Sequence, residues 1–235
     1  MLIRDVEFQS GENTLKGTSI RHNEMSSPTV LSLHGAGKSN RNRIRYLLDR
    51  LAKGNVSSFC FDFSGHGEST GRLEQSSLAQ RRQEAVSAYE YLDNKKPITV
   101  IGSSMGAHIA ATLVEQLPIE TLILFCPAAY SPKAEDTCFD ETFSQIIRQP
   151  QSYLDSLAFK KIESFSGNLL LISGTEDKVI PTEILDNYLS RATSAKRKEL
   201  VWIKGADHQI HPWLEKNDDD LNYVIAKIYE LMQIE

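Results

Sequence analysis

The chain has 235 residues, 40% of them hydrophobic and 24% charged, with a formal net charge of −5. That suffices for one sizeable domain with its own core, and the composition is that of an ordinary folded protein. An acidic balance argues against nucleic acid as a partner, because binding phosphate backbones needs a basic face.

The opening "MLIRDVEFQSGENTLKGTSI" carries charges where a signal peptide needs an apolar stretch, and no run is long and apolar enough for a membrane span. A cytoplasmic protein is the expectation. Residues 2–8 and 14–20 read as strands joined by the turn "SGEN", which predicts an antiparallel edge. Then come short apolar runs at 29–35, 57–65, 98–104, 121–129, 168–177 and 198–208, each closed by glycine, proline or a polar turn. Most lack strict alternation, as strands covered on both faces do. Helical spacing separates them at 42–52, 78–92, 107–117, 182–191 and 214–232. Strand alternating with helix implies right-handed crossovers and a doubly wound, mostly parallel sheet with helices on both faces. Residues 128–167 are too long and too polar for one crossover helix, and read as an insertion of short helices over one end of the sheet. The expectation is a single α/β domain over 1–235 with that insertion as a small helical cap.

Cys60, Cys126 and Cys138 are odd in number and lack metal or redox spacing. They read as small buried apolar residues in a reducing compartment, with no disulfide framework and no metal.

The informative corner is "PITVIGSSMGAHIAATL" (97–113). Within "GSSMG" Ser104 fits G-x-S-x-G, with a strand before it and a helix after it. Such a turn exposes the hydroxyl at the carboxyl edge of the sheet. Gly102 and Gly106 let the helix pack close, and the helix start lies beside developing negative charge. The amide of Met105 is then one oxyanion donor. A serine nucleophile needs a base. Of six histidines, His208 follows the last apolar run in "KELVWIKGADH", with His211 as the alternative in the same loop. The base needs an orienting carboxylate. Asp177 in "LLLISGTEDKVIP" supplies it, or Glu176 if the register slips by one. The second oxyanion donor is expected from "LSLHGAGKS", at the amide of Ala36 or behind it at Gly37, with His34 bracing the loop.

These pieces, "HGAG" (34–37), "DFSGHGEST" (62–70), "GSSMG" (102–106), "GTEDKVIP" (174–181) and "GADH" (205–208), resemble the α/β-hydrolase superfamily in kind and order. The narrower resemblance is to serine hydrolases of its esterase, thioesterase and aminopeptidase-like branch. The resemblance implies acyl transfer through a Ser104–Asp177–His208 triad, with no metal or organic cofactor. It implies a structural role for the D-x-x-G-x-G-x-S turn, and so no catalytic role for Asp62, His66 or Ser69. Family members usually carry a cap where 128–167 falls.

Two rival readings exist. "SLHGAGKS" (32–39) nearly matches a phosphate-binding loop, with Asp62 where a magnesium-holding Asp would sit. Against it, Ser32 replaces the first glycine inside the apparent strand, and the three triad residues go unexplained. The other rival, a non-enzymatic member of the fold, normally lacks part of the triad. The expected partner is a small-molecule acyl substrate. Tyr130, Phe139 and Phe143, with Ile146 and Ile147, either line its pocket or pack the cap. Lys38, Arg41, Arg43 and Arg45 either steer an anionic substrate or form a solvated helix face. Oligomeric state is not legible.

Overall fold

The computed structural model describes residues 1–93 and 98–233. β1 (Leu2–Ser10) and β2 (Asn13–Arg21) form the hairpin expected around the glycine turn. β3 (Val30–Leu33) leads through a short 3-10 turn into α1 (Arg45–Lys53), then β4 (Ser58–Phe61) and α2 (Leu78–Tyr91). β5 (Ile98–Ser103), α3 (Met105–Thr112) and β6 (Ile119–Phe125) follow. α4 (Glu141–Ile147) and α5 (Leu157–Ile162) occupy the long interval before β7 (Asn168–Gly174). α6 (Thr182–Arg191), β8 (Arg197–Ile203), α7 (Ile210–Lys216) and α8 (Asp218–Met232) complete the chain.

The strands make one eight-stranded sheet in the order β1-β2-β4-β3-β5-β6-β7-β8. β1 and β2, and β2 and β4, pair antiparallel; every other pair is parallel. This is the mostly parallel α/β sheet with an antiparallel edge that the run pattern predicts. β3, β4, β5 and β7 consist almost wholly of buried residues, which is why they read as unbroken apolar runs. α1 and α8 pack on each other, while α2, α3, α5 and α6 are neighbours in succession. The parallel strands all point one way. The loops leaving β3, β5, β6, β7 and β8 therefore meet at a single rim.

Two expected helices end differently. The one expected over 107–117 stops at Thr112. Residues 113–116 continue as turns, with the Leu117 amide donating to the Leu113 carbonyl at 2.9 Å, before β6 begins at Ile119. The one expected over 214–232 breaks at Asn217, which is extended at φ −125° and ψ 91°. The Asn217 side chain donates to the Trp213 carbonyl, and Trp213 Nε1 donates to Asp220 Oδ2, so the break is held from both sides. Asp218, Asp219 and Asp220 then place negative charge in the first turn of α8, where the helix dipole favours it. The cysteines also divide: Cys60 and Cys126 are buried, but Cys138 is exposed. Cys138 lies in the irregular segment between the 3-10 turn at Pro132–Ala134 and α4, outside the helices and strands whose packed faces bury the other two.

Candidate active site

Ser104 stands between β5 and α3 at φ 51° and ψ −112°, a conformation that L-residues rarely adopt. The turn is this sharp because two glycines let it be. A Cβ at Gly102 would lie 2.5 Å from the Gly106 carbonyl oxygen; one at Gly106 would lie 2.2 Å from that of Leu33. Both obstacles are backbone and cannot swing aside. The Ser104 amide donates to the Phe125 carbonyl (2.9 Å), which ties the elbow to β6.

His208, beyond β8, brings Nε2 to 3.2 Å from Ser104 Oγ. Its Nδ1 lies 2.9 Å from Asp177 Oδ2, beyond β7. The other Asp177 oxygen accepts from the Val179 and Ile180 amides at 2.8 and 3.0 Å. Burial alone would raise the Asp177 carboxyl. The hydrogen bond from His208 and those two amides outweigh it and hold the group below its ordinary value. Glu176, one residue earlier, is exposed. His211 is turned elsewhere: its Nε2 lies 2.6 Å from Ser103 Oγ and its Nδ1 3.0 Å from the Tyr46 hydroxyl. The residues expected as nucleophile, base and orienting acid thus form one hydrogen-bonded line, and the two alternatives do not join it.

The loop after β3 closes the site. A Cβ at Gly35 would lie 3.4 Å from Ser104 Cβ, so this backbone runs directly beside the serine. Ala36 and Gly37 line the cavity over Ser104. Met105 opens α3, so its amide is among those a helix leaves without an internal partner. His34 Nδ1 lies 2.7 Å from the Gly35 carbonyl, and its Nε2 accepts from the Phe63 amide at 3.1 Å. Burial and the nearby His66 push its pKa down to about 3, so it braces the loop as a neutral ring.

The cavity has a volume of about 510 Å³, within the range of small-molecule sites. Tyr130 lines it, while Phe139 and Phe143 lie outside the lining. Phe143 packs tilted against Tyr130 and Phe139 edge-on against Phe143 instead, with ring centroids 5.7 Å and 4.9 Å apart. Buried His108, 2.9 Å from Glu135, supports the other side of Tyr130. Ser103, Gln209 and Cys126 are among the lining residues that gave no signal in the sequence. Cys126 follows β6 directly at φ 43°, and its sulfur lies within 4.8 Å of ligating atoms of Asp177 and His208. Those three could in principle hold a metal. His208 Nδ1 and Asp177 Oδ2 are, however, already bonded to each other at 2.9 Å, and burial pushes the Cys126 thiol up to about 12.

Asp62 is enclosed by Arg41 and accepts from the Arg41 and Glu68 amides at 2.7 and 3.1 Å, while Ser69 Oγ donates to its carbonyl. It knits a turn and is not open to a magnesium ion. Ser32 lies within β3, paired with Cys60 and Ile101, so the phosphate-loop pattern begins inside the sheet.

This sheet order, with a serine on the β5–α3 elbow, defines an α/β hydrolase. More narrowly, residues 25–158 match the family described as "Serine aminopeptidase, S33", and the chain belongs to it. An uncharacterized protein of Mycobacterium tuberculosis (strain ATCC 25618 / H37Rv) is 28% identical over 188 residues, covering 78% of this chain and 63% of that protein. Monoacylglycerol lipase ABHD6 of Mus musculus is 30% identical over 178 residues, covering 71% of this chain and 50% of the lipase. The chain thus spans between half and two thirds of these curated relatives. Among solved structures, Est1E from Butyrivibrio proteoclasticus with bound ferulic acid superposes with a TM-score of 0.74 at 20% identity, over 97% of this chain and 98% of that one. The esterase Pf2001 of Pyrococcus furiosus gives 0.73 at 23% identity, over 98% and 93%. Both likenesses are of fold. Among the described residues no helix is long and apolar enough to cross a membrane.

Proposed function

We propose that the protein is a serine hydrolase that cleaves a carboxylic ester or thioester of a small or medium substrate through an acyl-enzyme. The line Ser104 Oγ–His208 Nε2 (3.2 Å) and His208 Nδ1–Asp177 Oδ2 (2.9 Å) on a strained elbow carries the reading. His208 takes the Ser104 proton as the oxygen attacks the acyl carbon. Asp177 holds the imidazole in the tautomer with its proton on Nδ1 and stabilises the imidazolium that forms. The carbonyl oxygen, now an oxyanion, accepts from the amides of Ala36 and Met105. Collapse expels the alcohol or thiol, which leaves with the proton from His208. Water then repeats the sequence on the acyl-enzyme, losing its proton to His208 and releasing the acid and Ser104.

The choice of ester or thioester is supported by the monoacylglycerol lipase among the relatives and by the esterases and a thioesterase domain from the curacin biosynthetic pathway among the fold neighbours. Residues 128–167 act as a small cap on the single domain, with Tyr130 as its contribution to the acyl site.

The test is labelling by a fluorophosphonate probe, with hydrolysis of p-nitrophenyl esters, acyl-CoA thioesters and aminoacyl amides by wild type and Ser104→Ala. Loss of the serine should remove labelling and lower turnover on the order of 10⁶-fold. Undiminished hydrolysis by Ser104→Ala overturns the mechanism. A preference for amides would leave the triad standing and redirect the substrate class.

A further inference from the structure

The basic run at residues 38–45 is divided by the fold. The Arg41 guanidinium is buried between Asp62 and Glu68. Arg45 pairs with Asp49 at 3.3 Å along α1. Lys38 and Arg43 remain, and both line the cavity over Ser104 and His208. Among the described residues no Asp or Glu lines that cavity. Arg43 is exposed yet anchored, because its Nη2 donates to Oε1 of Gln209, the residue after His208. A neutral partner orients the guanidinium without cancelling its charge.

A neutral hydroxyl, that of Ser103, lines the same cavity. His211 is buried; burial, then the charges of Arg43 and His208, push its pKa down to about 3, so the ring is neutral. Its Nδ1 lies 3.0 Å from the Tyr46 hydroxyl and its Nε2 2.6 Å from Ser103 Oγ. That contact holds in place the Ser103 side chain, whose hydroxyl is a hydrogen-bonding group in the cavity lining. Phe125, Tyr130 and Val179 add apolar and aromatic surface to the lining.

We propose that Lys38, Arg43 and Ser103 form an anion subsite, and that the natural acyl substrate carries a carboxylate or phosphate seated there, with its apolar part toward Tyr130. The proposal rests on the acyl-transfer reading above. In a protein with a net charge of −5, two uncancelled cations at a concave site also draw an anionic substrate toward the serine.

The experiment measures kcat/KM on matched pairs, each an anionic substrate over a neutral one. Mono-4-nitrophenyl succinate against 4-nitrophenyl butyrate reads a carboxylate on the acyl side. 4-Carboxyphenyl butyrate against phenyl butyrate reads one on the leaving side. Butyryl-CoA against butyryl-N-acetylcysteamine reads phosphate. In Lys38→Gln/Arg43→Gln the anionic-to-neutral ratio of at least one pair should fall about tenfold, equivalent to about 1.4 kcal/mol. In Ser103→Ala the same ratio should fall about threefold, the scale of one neutral hydrogen bond. Added salt should lower the ratio in wild type and not in the double variant. The pair that responds identifies the anion and its side. A wild-type urea midpoint certifies the fold of each variant. Ratios that stay within twofold for every pair overturn the subsite while leaving the hydrolase intact. Hydrolysis that survives Ser104→Ala sinks the hydrolase instead.

Discussion

At position 104 backbone strain and catalysis can be separated by two substitutions. Alanine and glycine both delete the hydroxyl and its contact with His208, so that loss cancels between them. They differ in backbone. At φ 51° and ψ −112° alanine keeps the strain that serine bears, while glycine adopts the conformation freely. Such strain is worth about 1–3 kcal/mol. Glycine returns about 0.4–1 kcal/mol through the greater entropy of its unfolded chain. Taking about 2 kcal/mol against about 0.7, Ser104→Gly should be more stable than Ser104→Ala by about 1.3 kcal/mol. For a domain of this size that is about 3–5 °C in Tm. Equilibrium urea unfolding of both variants, with thermal melts alongside, reads the difference. Alanine equal to or above glycine would refute the claim that this elbow stores strain.

Acid should destabilise the protein early. His34 and His211 have folded pKa values near 3, so below about 6.5 only the unfolded chain binds their protons. Their stability contribution is complete above that value and lost as pH falls toward 3, at about 1.4 kcal/mol per pH unit for each ring. Urea midpoints at pH 7.5, 6 and 5 check this; a flat profile contradicts buried neutral rings. Asp177→Asn should lower kcat about 10⁴-fold, because the amide no longer selects the working tautomer of His208. Single-turnover kinetics on an activated ester measure it. Arg41→Met strands the enclosed Asp62 carboxylate and should cost about 3–5 kcal/mol in chemical denaturation, whereas Arg45→Met on the surface of α1 should cost less than about 1 kcal/mol.

Much of the site can be read one residue at a time. Ser104 is legible because its motif spans a strand–helix junction, and Asp177 and His208 because each follows an apolar run at the edge where parallel strands end. The start of α8 had a legible signal too, in Asn217 and the three aspartates after it. Periodicity overrode that signal, because the apolar stripe continues across the break. Phe139 and Phe143 illustrate the opposite case. Aromatic residues in a cap satisfy a pocket or a packing role equally well in sequence, and only the placement of Tyr130 in the cavity lining, with these two outside it, separates the roles.

The sequence by itself determined the element types, the parallel sheet and the identity of the strand-end residues. These follow from local periodicity, turn chemistry and burial on both faces of a strand, which neighbouring residues encode together. The tertiary structure alone decided which distant groups meet. Arg41 lies 21 positions from Asp62, and Ser103 lies 108 from His211. Such pairings depend on β3 entering the sheet between β4 and β5, and on where the loops beyond β8 fold back. In one dimension the four cations of residues 38–45 are equivalent. In three, the carboxylates that reach Arg41 and Arg45 leave Lys38 and Arg43 facing the serine, because charge is cancelled by proximity in space rather than along the chain.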